Sequence, residues 1–345
     1  MRVGGDNMAS ISTGALTAPS CIARRGGIIA GTILALAAAL PFQPAAAADY
    51  PSGPIRLLVG YTPGGASDIV TRTVATALGK QLGQSVVVEN KPGAASNIAS
   101  AFVASSRPDG YTLLLGTIAT SINPSLYKNL SFDPLKSFVP VSQVASSPFM
   151  LVATRQSGIT SVPDLIAKAR AAQPSLTYAS AGIGSGANLF MEYFRAKAGI
   201  SLVHVPYKGT VPAITDMLGG RVPLTFDNIM TNLPLVKEGK FVALAVSTST
   251  PADIAPDVPP LGKFIPGFEA TAWFGLFAPA GTPPEVIDKL NAATVKAMQD
   301  PQARDALAKM GAQAVTSTPA AFASFYKNEI DKWATVVRSA DIKPE

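Results

Sequence analysis

Two carboxylates and one histidine are the side chains of this sequence whose positions suggest chemistry. Asp68 follows a glycine-rich loop, and Asp227 follows the apolar run Leu224–Phe226. A pair of carboxylates could do general acid–base work. We favour structural roles, in which Asp68 caps a helix and Asp227 accepts hydrogen bonds from backbone or ligand. The reason is that no partnered nucleophile or metal-binding set accompanies the two acids.

The remaining inventory of reactive residues is small. His204 is the only histidine, and a lone histidine cannot build a multi-histidine metal site. The only cysteine, Cys21, lies near the N-terminus, and no Gly-x-Ser-x-Gly nucleophile elbow is present. We interpret His204 as a hydrogen-bonded strand residue. The sequence therefore predicts no catalytic residue, no metal site and no cofactor.

Two glycine-rich loops are the stronger candidates for function. Each lies between an apolar run and a helical pattern, and they span Tyr61–Asp68 and Ser180–Ala187. A strand-to-helix loop leaves backbone N–H groups pointing outward, so it can hold an anion without a charged side chain. Either loop alone could be an ordinary connection, because glycine pairs are common in turns. Two such loops, one per domain, could hold an acidic ligand from opposite sides.

The second loop also matches the dinucleotide-binding fingerprint in a formal sense. Gly182, Gly184 and Ala187 have the required spacing. The next apolar run ends at Val205–Lys208 without the acidic residue that would bind a ribose hydroxyl. We therefore favour a carboxylate over a dinucleotide as the ligand of this loop.

The loops are positioned by alternating strand and helix patterns. The alternation runs twice, with crossings near residues 148 and 272, and it predicts mostly parallel sheets with helices on both faces. We expect two α/β domains, formed by 49–148 plus 272–345 and by 149–271. At the end of the range 49–148, residues 123–148 are rich in proline and serine, with only short apolar pieces. Ligands of open α/β sheets bind at the carboxyl ends of strands, which here could face each other across a cleft.

Composition argues against one class of ligand, and the N-terminal segment indicates where the protein acts. Apolar residues make up 48% and charged residues 14% of the chain, and the basic residues are scattered, which argues against nucleic-acid binding. Residues 1–48 are predicted to be a signal peptide: Arg24 and Arg25 precede the apolar run Ile28–Leu40, and Ala46–Ala48 suits cleavage. The apolar run is too short for an ordinary membrane span. We expect export to the periplasm by the general secretion or the twin-arginine route.

Short motifs over nearly the whole exported chain carry a family resemblance. They are YTPGGASD (Tyr61–Asp68), VVENKPG (Val87–Gly93), RPDGYTLL (Arg107–Leu114), YASAGIGSG (Tyr178–Gly186), HVPYKG (His204–Gly209), DMLGG (Asp216–Gly220), WFGLFAPAGTP (Trp273–Pro283) and Lys332–Trp333. In this order they resemble the Bug-type periplasmic solute receptors, the substrate-binding proteins of tripartite tricarboxylate transporters.

The resemblance implies a two-domain periplasmic-binding-protein fold, type II-like, that closes like a Venus flytrap over a ligand cleft between the domains. The ligand-binding residues that follow are Tyr61, Thr62, Gly65, Ala66, Ser67, Thr117, Ser180, Ala181, Gly182, Gly184, Ser185 and Asp227. Three stretches depart from the family pattern. Asn188 stands where the family commonly has a histidine, Ala94–Ser96 replaces its usual glycines, and Thr250–Gly262 lacks an arginine often seen there.

The expected function is capture of a small organic carboxylate, either an aliphatic di- or tricarboxylate or an aromatic acid. The receptor is expected to act as a monomer and to deliver its ligand to membrane permease subunits or to a sensor protein. A carboxylate-sensing receptor that feeds a signalling partner is the first alternative. An exported hydrolase that uses Asp68 or Asp227 is the second.

Overall fold

Strands and helices alternate along the protein in a computed structural model that describes residues 50–339 and 342. The strands are β1 (Ile55–Val59), β2 (Val86–Asn90), β3 (Thr112–Thr117), β4 (Phe138–Ser147), β5 (Phe149–Thr154), β6 (Thr177–Ser180), β7 (Val203–Pro206), β8 (Leu224–Asn228), β9 (Phe241–Val246), β10 (Ala272–Pro279) and β11 (Gln313–Ala314). The helices are α1 (Ala66–Leu82), α2 (Asn97–Ala104), α3 (Ile118–Leu126), α4 (Val162–Ala171), α5 (Gly186–Ala198), α6 (Thr210–Leu218), α7 (Ile229–Lys237), α8 (Pro284–Gln299), α9 (Pro301–Ala308) and α10 (Pro319–Ser339).

The chain divides into two units, Met1–Ala48 and Asp49–Glu345, and the described residues all belong to the second. The predicted signal peptide lies outside them. No helix among the described residues combines the length and the apolar character that a membrane crossing requires.

The strands form two sheets. The first has six strands in the order β11-β4-β10-β3-β1-β2, and the second has five in the order β7-β6-β8-β5-β9. We call the first sheet with its helices lobe 1 and the second sheet with its helices lobe 2. Lobe 1 takes its strands from residues 55–147 and 272–314, whereas lobe 2 takes them from 149–246. The domain boundaries near 148 and 272 stay a prediction, and this allocation of strands supports it.

Most strands of each sheet run in one direction, as expected: β1, β2, β3 and β4 in the first sheet, and β6, β7, β8 and β9 in the second. The strands that run the other way are β10 and β11 in the first sheet and β5 in the second. β10 pairs antiparallel with both β3 and β4, and β5 pairs antiparallel with both β8 and β9. The reason lies in the connections between the lobes. β4 leads the chain out of lobe 1 and β10 brings it back, so the two crossing strands run in opposite directions beside each other.

β4 itself falls in the stretch that composition describes only as rich in proline and serine. Its proline residue, Pro140, pairs with Phe277 of β10 next to a shift in register. Proline is found in sheets at such irregularities, because it cannot donate to the ladder. The strand is therefore set by its partner β10 rather than by its local sequence.

The apolar residues of the last helix form a single core-facing stripe. Phe322, Tyr326, Trp333 and Val337 of α10 are buried, and Ile330 is partly buried against the core. This periodicity is that of an amphipathic helix with one face on a core.

The same helix holds Trp273 of β10 in place. Phe322 packs edge-on against the Trp273 ring with 5.9 Å between ring centroids. The buried carboxylate of Glu329 accepts hydrogen bonds from the indole N–H groups of Trp273, at 3.2 Å, and of Trp333, at 2.8 Å. Trp273 is thereby fixed at the start of the strand that returns to lobe 1.

Substitution of Phe322 by alanine tests this packing. Phe322 has no exposed surface, so Phe322→Ala should lower the free energy of unfolding by about 3–5 kcal/mol, the usual cost of such a truncation. Urea unfolding measures it. Leu135, which is half exposed, is the matched control, and Leu135→Ala should change stability by less than about 0.5 kcal/mol. Equal effects of the two substitutions would contradict the packing described.

Candidate ligand-binding cleft

A cavity of about 50 Å³ lies between the two lobes. Space of this kind holds a water for roughly every 10–15 Å³, so a few non-hydrogen atoms fit without movement of the lobes. Its lining residues come from both lobes and are Tyr61, Thr62, Gly65, Ala66, Ser67, Thr117, Ile118, Phe149, Ala181, Ser185, Gly186, Ala187, Thr210, Asp227, Asn228, Ala272, Trp273 and Phe274.

Five helices begin at this cavity. α1 starts after Gly65, α3 after Thr117, α5 after Ser185, α6 at Thr210 and α7 after Asn228, and all five of these residues line the space. The first N–H groups of a helix have no partner inside the helix and carry partial positive charge, so each start favours an anion. In the described part of the chain, no lysine, arginine or histidine lines the cavity.

The first glycine loop is held in shape by Asp68. The Asp68 carboxylate accepts hydrogen bonds from the Gly64 amide at 3.0 Å, from Asn90 Nδ2 at 2.8 Å and from Arg72 Nε at 2.9 Å. Burial alone would raise the pKa of Asp68, but these bonds together lower it. The helix cap is Gly65 rather than Asp68. Asp68 is structural, as expected, but it acts by fixing the loop residue before the cap.

Hydroxyl groups cover the lobe 1 side of the cavity. The buried Tyr61 hydroxyl is hydrogen-bonded to the Thr117 side chain, and burial raises the pKa of Tyr61. Thr62 Oγ1 is buried and has no hydrogen-bond partner among the described residues. Ser67, at the second position of α1, lines the cavity beside it. This wall offers several donors to a carboxylate.

The second glycine loop divides into residues that line the cavity and residues that support it. Ala181 and Ser185 line the cavity, whereas Ser180, Gly182 and Gly184 do not. Ser180 is fully buried, and its hydroxyl accepts from the Gly182 amide at 3.1 Å. The Gly184 amide donates to Asn188 Oδ1 at 3.1 Å. The polar groups of these three residues are used inside lobe 2, and Gly182 lines a neighbouring cavity with Tyr61 and Ala181, so their contact with a ligand stays a prediction.

Ser185 caps helix α5, and its hydroxyl accepts from the Asn188 amide at 3.2 Å. The sequence pattern places the start of this helix at Leu189, but the helix begins at Gly186. The earlier start matters because Gly186 and Ala187, whose amides belong to the first turn, line the cavity.

Asn188 belongs to a buried polar network behind the loop. Its Nδ2 donates to the Tyr178 hydroxyl at 2.8 Å, and that hydroxyl donates to Glu192 Oε1 at 2.6 Å. Asn188 does not line the cavity. The departure from the family's histidine at this position therefore alters the support of the loop rather than the lining of the cavity.

His204 contacts the same network in one defined tautomer. Asn188 uses Oδ1 to accept from Gly184, so its Nδ2, at 3.4 Å from His204 Nδ1, is the donor. Assigned from these bonds, His204 Nδ1 accepts and Nε2 carries the proton, which it donates to Ser180 Oγ at 2.6 Å. A serine nucleophile needs the opposite arrangement, in which the imidazole accepts the serine proton. His204 is a hydrogen-bonded strand residue, as the sequence predicts.

Asp227 is the one carboxylate that faces the cavity among its described lining residues. It is buried, and its Oδ2 accepts from Thr210 Oγ1 at 2.7 Å while Oδ1 accepts from the Asn228 amide at 2.7 Å. Burial raises the pKa of Asp227, and these two bonds offset part of the shift.

Sequence reasoning missed Thr210, Asn228, Phe149 and Trp273 as lining residues. Thr210 carried a local signal, because it lies two positions before a proline in the first turn of α6, where helices commonly begin. The other three lie at strand ends in separate parts of the chain. Trp273 opens one of the family motifs and Asn228 follows Asp227, but neither pattern indicates a position at the cavity.

Comparisons with known proteins agree with this geometry. A family model described as "Tripartite tricarboxylate transporter family receptor" matches residues 70–342. Protein BugT of Bordetella pertussis is 36% identical over 303 residues, which cover 87% of this chain and 93% of BugT. The UPF0065 protein of the TAR-I ttuE-ttuC' intergenic region of Agrobacterium vitis is 35% identical over 312 residues, or 89% of this chain and 90% of that one.

Solved structures of similar sequence have the same fold. The periplasmic binding protein BugD superposes with a TM-score of 0.82 at 32% identity, over 86% of this chain and 100% of BugD. An R. palustris protein solved with adipate gives 0.82 at 33% identity, with the same coverage. MatC from Rhodopseudomonas palustris with bound malate gives 0.79 at 31% identity, over 84% and 100%. The predicted two-domain periplasmic-binding-protein fold is confirmed.

The neutral state of His204 predicts a pH dependence of stability. Burial lowers the pKa of His204 to about 4, below its unfolded value of about 6.5. As pH falls from about 6.5 to 4, the unfolded chain takes up a proton that the folded chain does not, so the wild type loses stability. His204→Gln removes this contribution and should lose less stability over the same range in urea unfolding.

Ser180→Ala is the control for this measurement. It disturbs the same network but keeps the histidine, so its stability should fall with pH as steeply as that of the wild type. Parallel pH profiles for the wild type and His204→Gln would show that His204 is not held neutral.

Proposed function

The chain belongs to the tripartite tricarboxylate transporter receptor family of periplasmic solute-binding proteins, and on this premise we propose that it captures one small organic carboxylate between its lobes for uptake. The observation that carries the proposal is the convergence of five helix starts on a cavity that no cationic residue of the described chain lines. Such a site stabilises a single anion through fixed dipoles and hydroxyls.

The ligands of two similar structures support the carboxylate class. One R. palustris protein was solved with adipate and MatC with malate, and both ligands are dicarboxylates. The aromatic side chains of Phe149, Trp273 and Phe274 form the apolar part of the cavity wall. Aliphatic di- and tricarboxylates and aromatic carboxylates are therefore the two groups to be compared.

The proposal places the mature protein in the periplasm after removal of residues 1–48 by signal peptidase. There it acts as a monomer and passes its ligand to membrane permease subunits of the tripartite type. A sensor protein is the alternative recipient. The two are distinguished by whether deletion of the gene abolishes uptake of the ligand or only the transcriptional response to it.

We propose no catalytic step. Ser180 and His204 are hydrogen-bonded to each other, but Ser180 is fully buried and His204 Nε2 donates to it, so the pair is not a nucleophile and base. Asp68 is occupied by three hydrogen bonds within lobe 1. A hydrolase would need one of these groups free to exchange a proton with a bound substrate.

The proposed function is tested by mass spectrometry of small molecules released from freshly purified, denatured protein, followed by calorimetry with carboxylates and their amides. We expect one carboxylate per chain, and we expect the amide of the same acid not to bind. Binding of the amide as tightly as the acid would refute an anion site. Accumulation of product from an ester beyond one equivalent would show an enzyme instead.

Removal of the Ser67 hydroxyl should weaken the binding of every carboxylate ligand. Ser67 lines the cavity in the first turn of α1, and Ser67→Ala should cost about 0.5–1.5 kcal/mol of binding free energy, or roughly 2- to 12-fold in Kd. Ser131→Ala, at an exposed position, should leave Kd unchanged. Equal affinities in calorimetry for Ser67→Ala and the wild type would argue against a role for this hydroxyl.

The close approach of the lobes depends on Gly209. A Cβ at Gly209 would lie 2.1 Å from Thr62 Oγ1 across the cleft, and Thr62 is short and branched, so it cannot easily move aside. Gly209→Ala should therefore weaken ligand binding about fivefold or more, because the lobes can no longer approach each other this closely. Gly53→Ala, which meets nothing within 4 Å, is the control. Unchanged affinity in Gly209→Ala would mean that ligand binding does not require this contact.

A further inference from the structure

Asp227 is a buried carboxylate in a cavity that is built to attract anions. A ligand carboxylate and the Asp227 carboxylate must share a space of about 50 Å³ that no cationic residue of the described chain lines. We propose that Asp227 makes the site selective for carboxylates that also carry a hydrogen-bond donor, either a hydroxyl or an ammonium group. This inference rests on the proposed function and adds the chemical class of the ligand.

The hydrogen-bonding capacity of Asp227 is only half used. The inference concerns the ionised form of Asp227: burial raises its pKa, but the hydrogen bonds donated by Thr210 and Asn228 favour the charged form. An ionised carboxylate has about four acceptor positions. Among the described residues, Thr210 Oγ1 takes one of them and the Asn228 amide takes another. Because Asp227 also lines the cavity, a ligand can reach the remaining positions. What Asp227 can accept from a ligand is a donor hydrogen.

Electrostatic repulsion decides which part of the ligand lies at Asp227. Two negative charges a few ångströms apart repel strongly where water is excluded. A ligand carboxylate therefore binds at the starts of α1 and α5, away from Asp227. The group next to Asp227 is neutral or positive, and a group without a donor there would leave buried acceptor positions unpaired, which is costly.

The lobe 1 wall has the complementary chemistry. Thr62 Oγ1 is buried without a partner among the described residues, and Ser67 and the first amides of α1 lie beside it. A hydroxyl can donate to a carboxylate, as can a backbone amide. The cleft thus has donors on lobe 1 and a strong acceptor on lobe 2. A hydroxy or amino acid matches both sides at once.

The test uses pairs of acids that differ by one hydroxyl: lactate with propionate, malate with succinate, and citrate with tricarballylate. Calorimetry on the wild type should show that the hydroxylated member of a bound pair has a Kd about tenfold or more below that of its partner, because hydrogen bonds to ionised groups are the strong ones. Asp227→Asn keeps the size of the side chain but removes its charge and adds an N–H donor. The Asp227→Asn substitution should reduce the ratio of the two Kd values in a pair about tenfold and improve the binding of the acid that lacks the hydroxyl.

Ser67→Ala is the matched control, since it weakens the common carboxylate contact and should lower the affinity of both members of a pair by the same factor. A wild-type ratio near one overturns the inference and leaves the proposed function intact, and so does an unchanged ratio in Asp227→Asn. The wild-type ratio needs no variant, so it decides the question even if Asp227→Asn folds poorly. If no carboxylate of the panel or of the released ligands binds, the proposed function fails, and this inference fails with it.

Discussion

The proposed site depends on one constraint, which is that the anion we propose as ligand must be held in a cavity that no cationic side chain of the described residues lines. Helix starts are a solution because their free N–H groups and partial charges are fixed by the backbone and need no counterion. One helix start is a weak anion site, but five meet at this cavity. The cavity also has to exclude water, because dipoles and hydrogen bonds are stronger in a medium of low dielectric constant.

Bringing those helix starts together requires two sheets whose strand ends face each other at close range. The lobes are joined by the crossing strands β4 and β10, and they meet again beside the cavity, where the Tyr127 hydroxyl donates to the Ile183 carbonyl at 2.8 Å. On another side, Trp333 of α10 stacks on Phe190 of α5 with 5.4 Å between ring centroids. These contacts hold the lobes in register, so that donors on one lobe and Asp227 on the other can act on the same small ligand.

Local sequence patterns predicted the parts of this site that local structure creates. The loops at Tyr61–Asp68 and Ser180–Ala187 were recognisable because glycine and serine at strand-to-helix turns have a direct backbone meaning. The reversed strands β5, β10 and β11 were not visible in the same patterns, and the ligand contact of Ser180 stays a prediction. Strand direction follows from the crossings between lobes, and Ser180 is occupied by His204 of the neighbouring strand. Thr210 and Trp273 could not be placed at the cavity, since only long-range packing brings them there.

A crystal structure of the protein with its bound ligand tests the central claim most directly. We predict that the ligand carboxylate lies within hydrogen-bond distance of the first amides of α1 and α5, with no lysine or arginine in contact. A carboxylate paired with a cationic side chain, or a ligand bound outside the cleft between the lobes, would contradict the account.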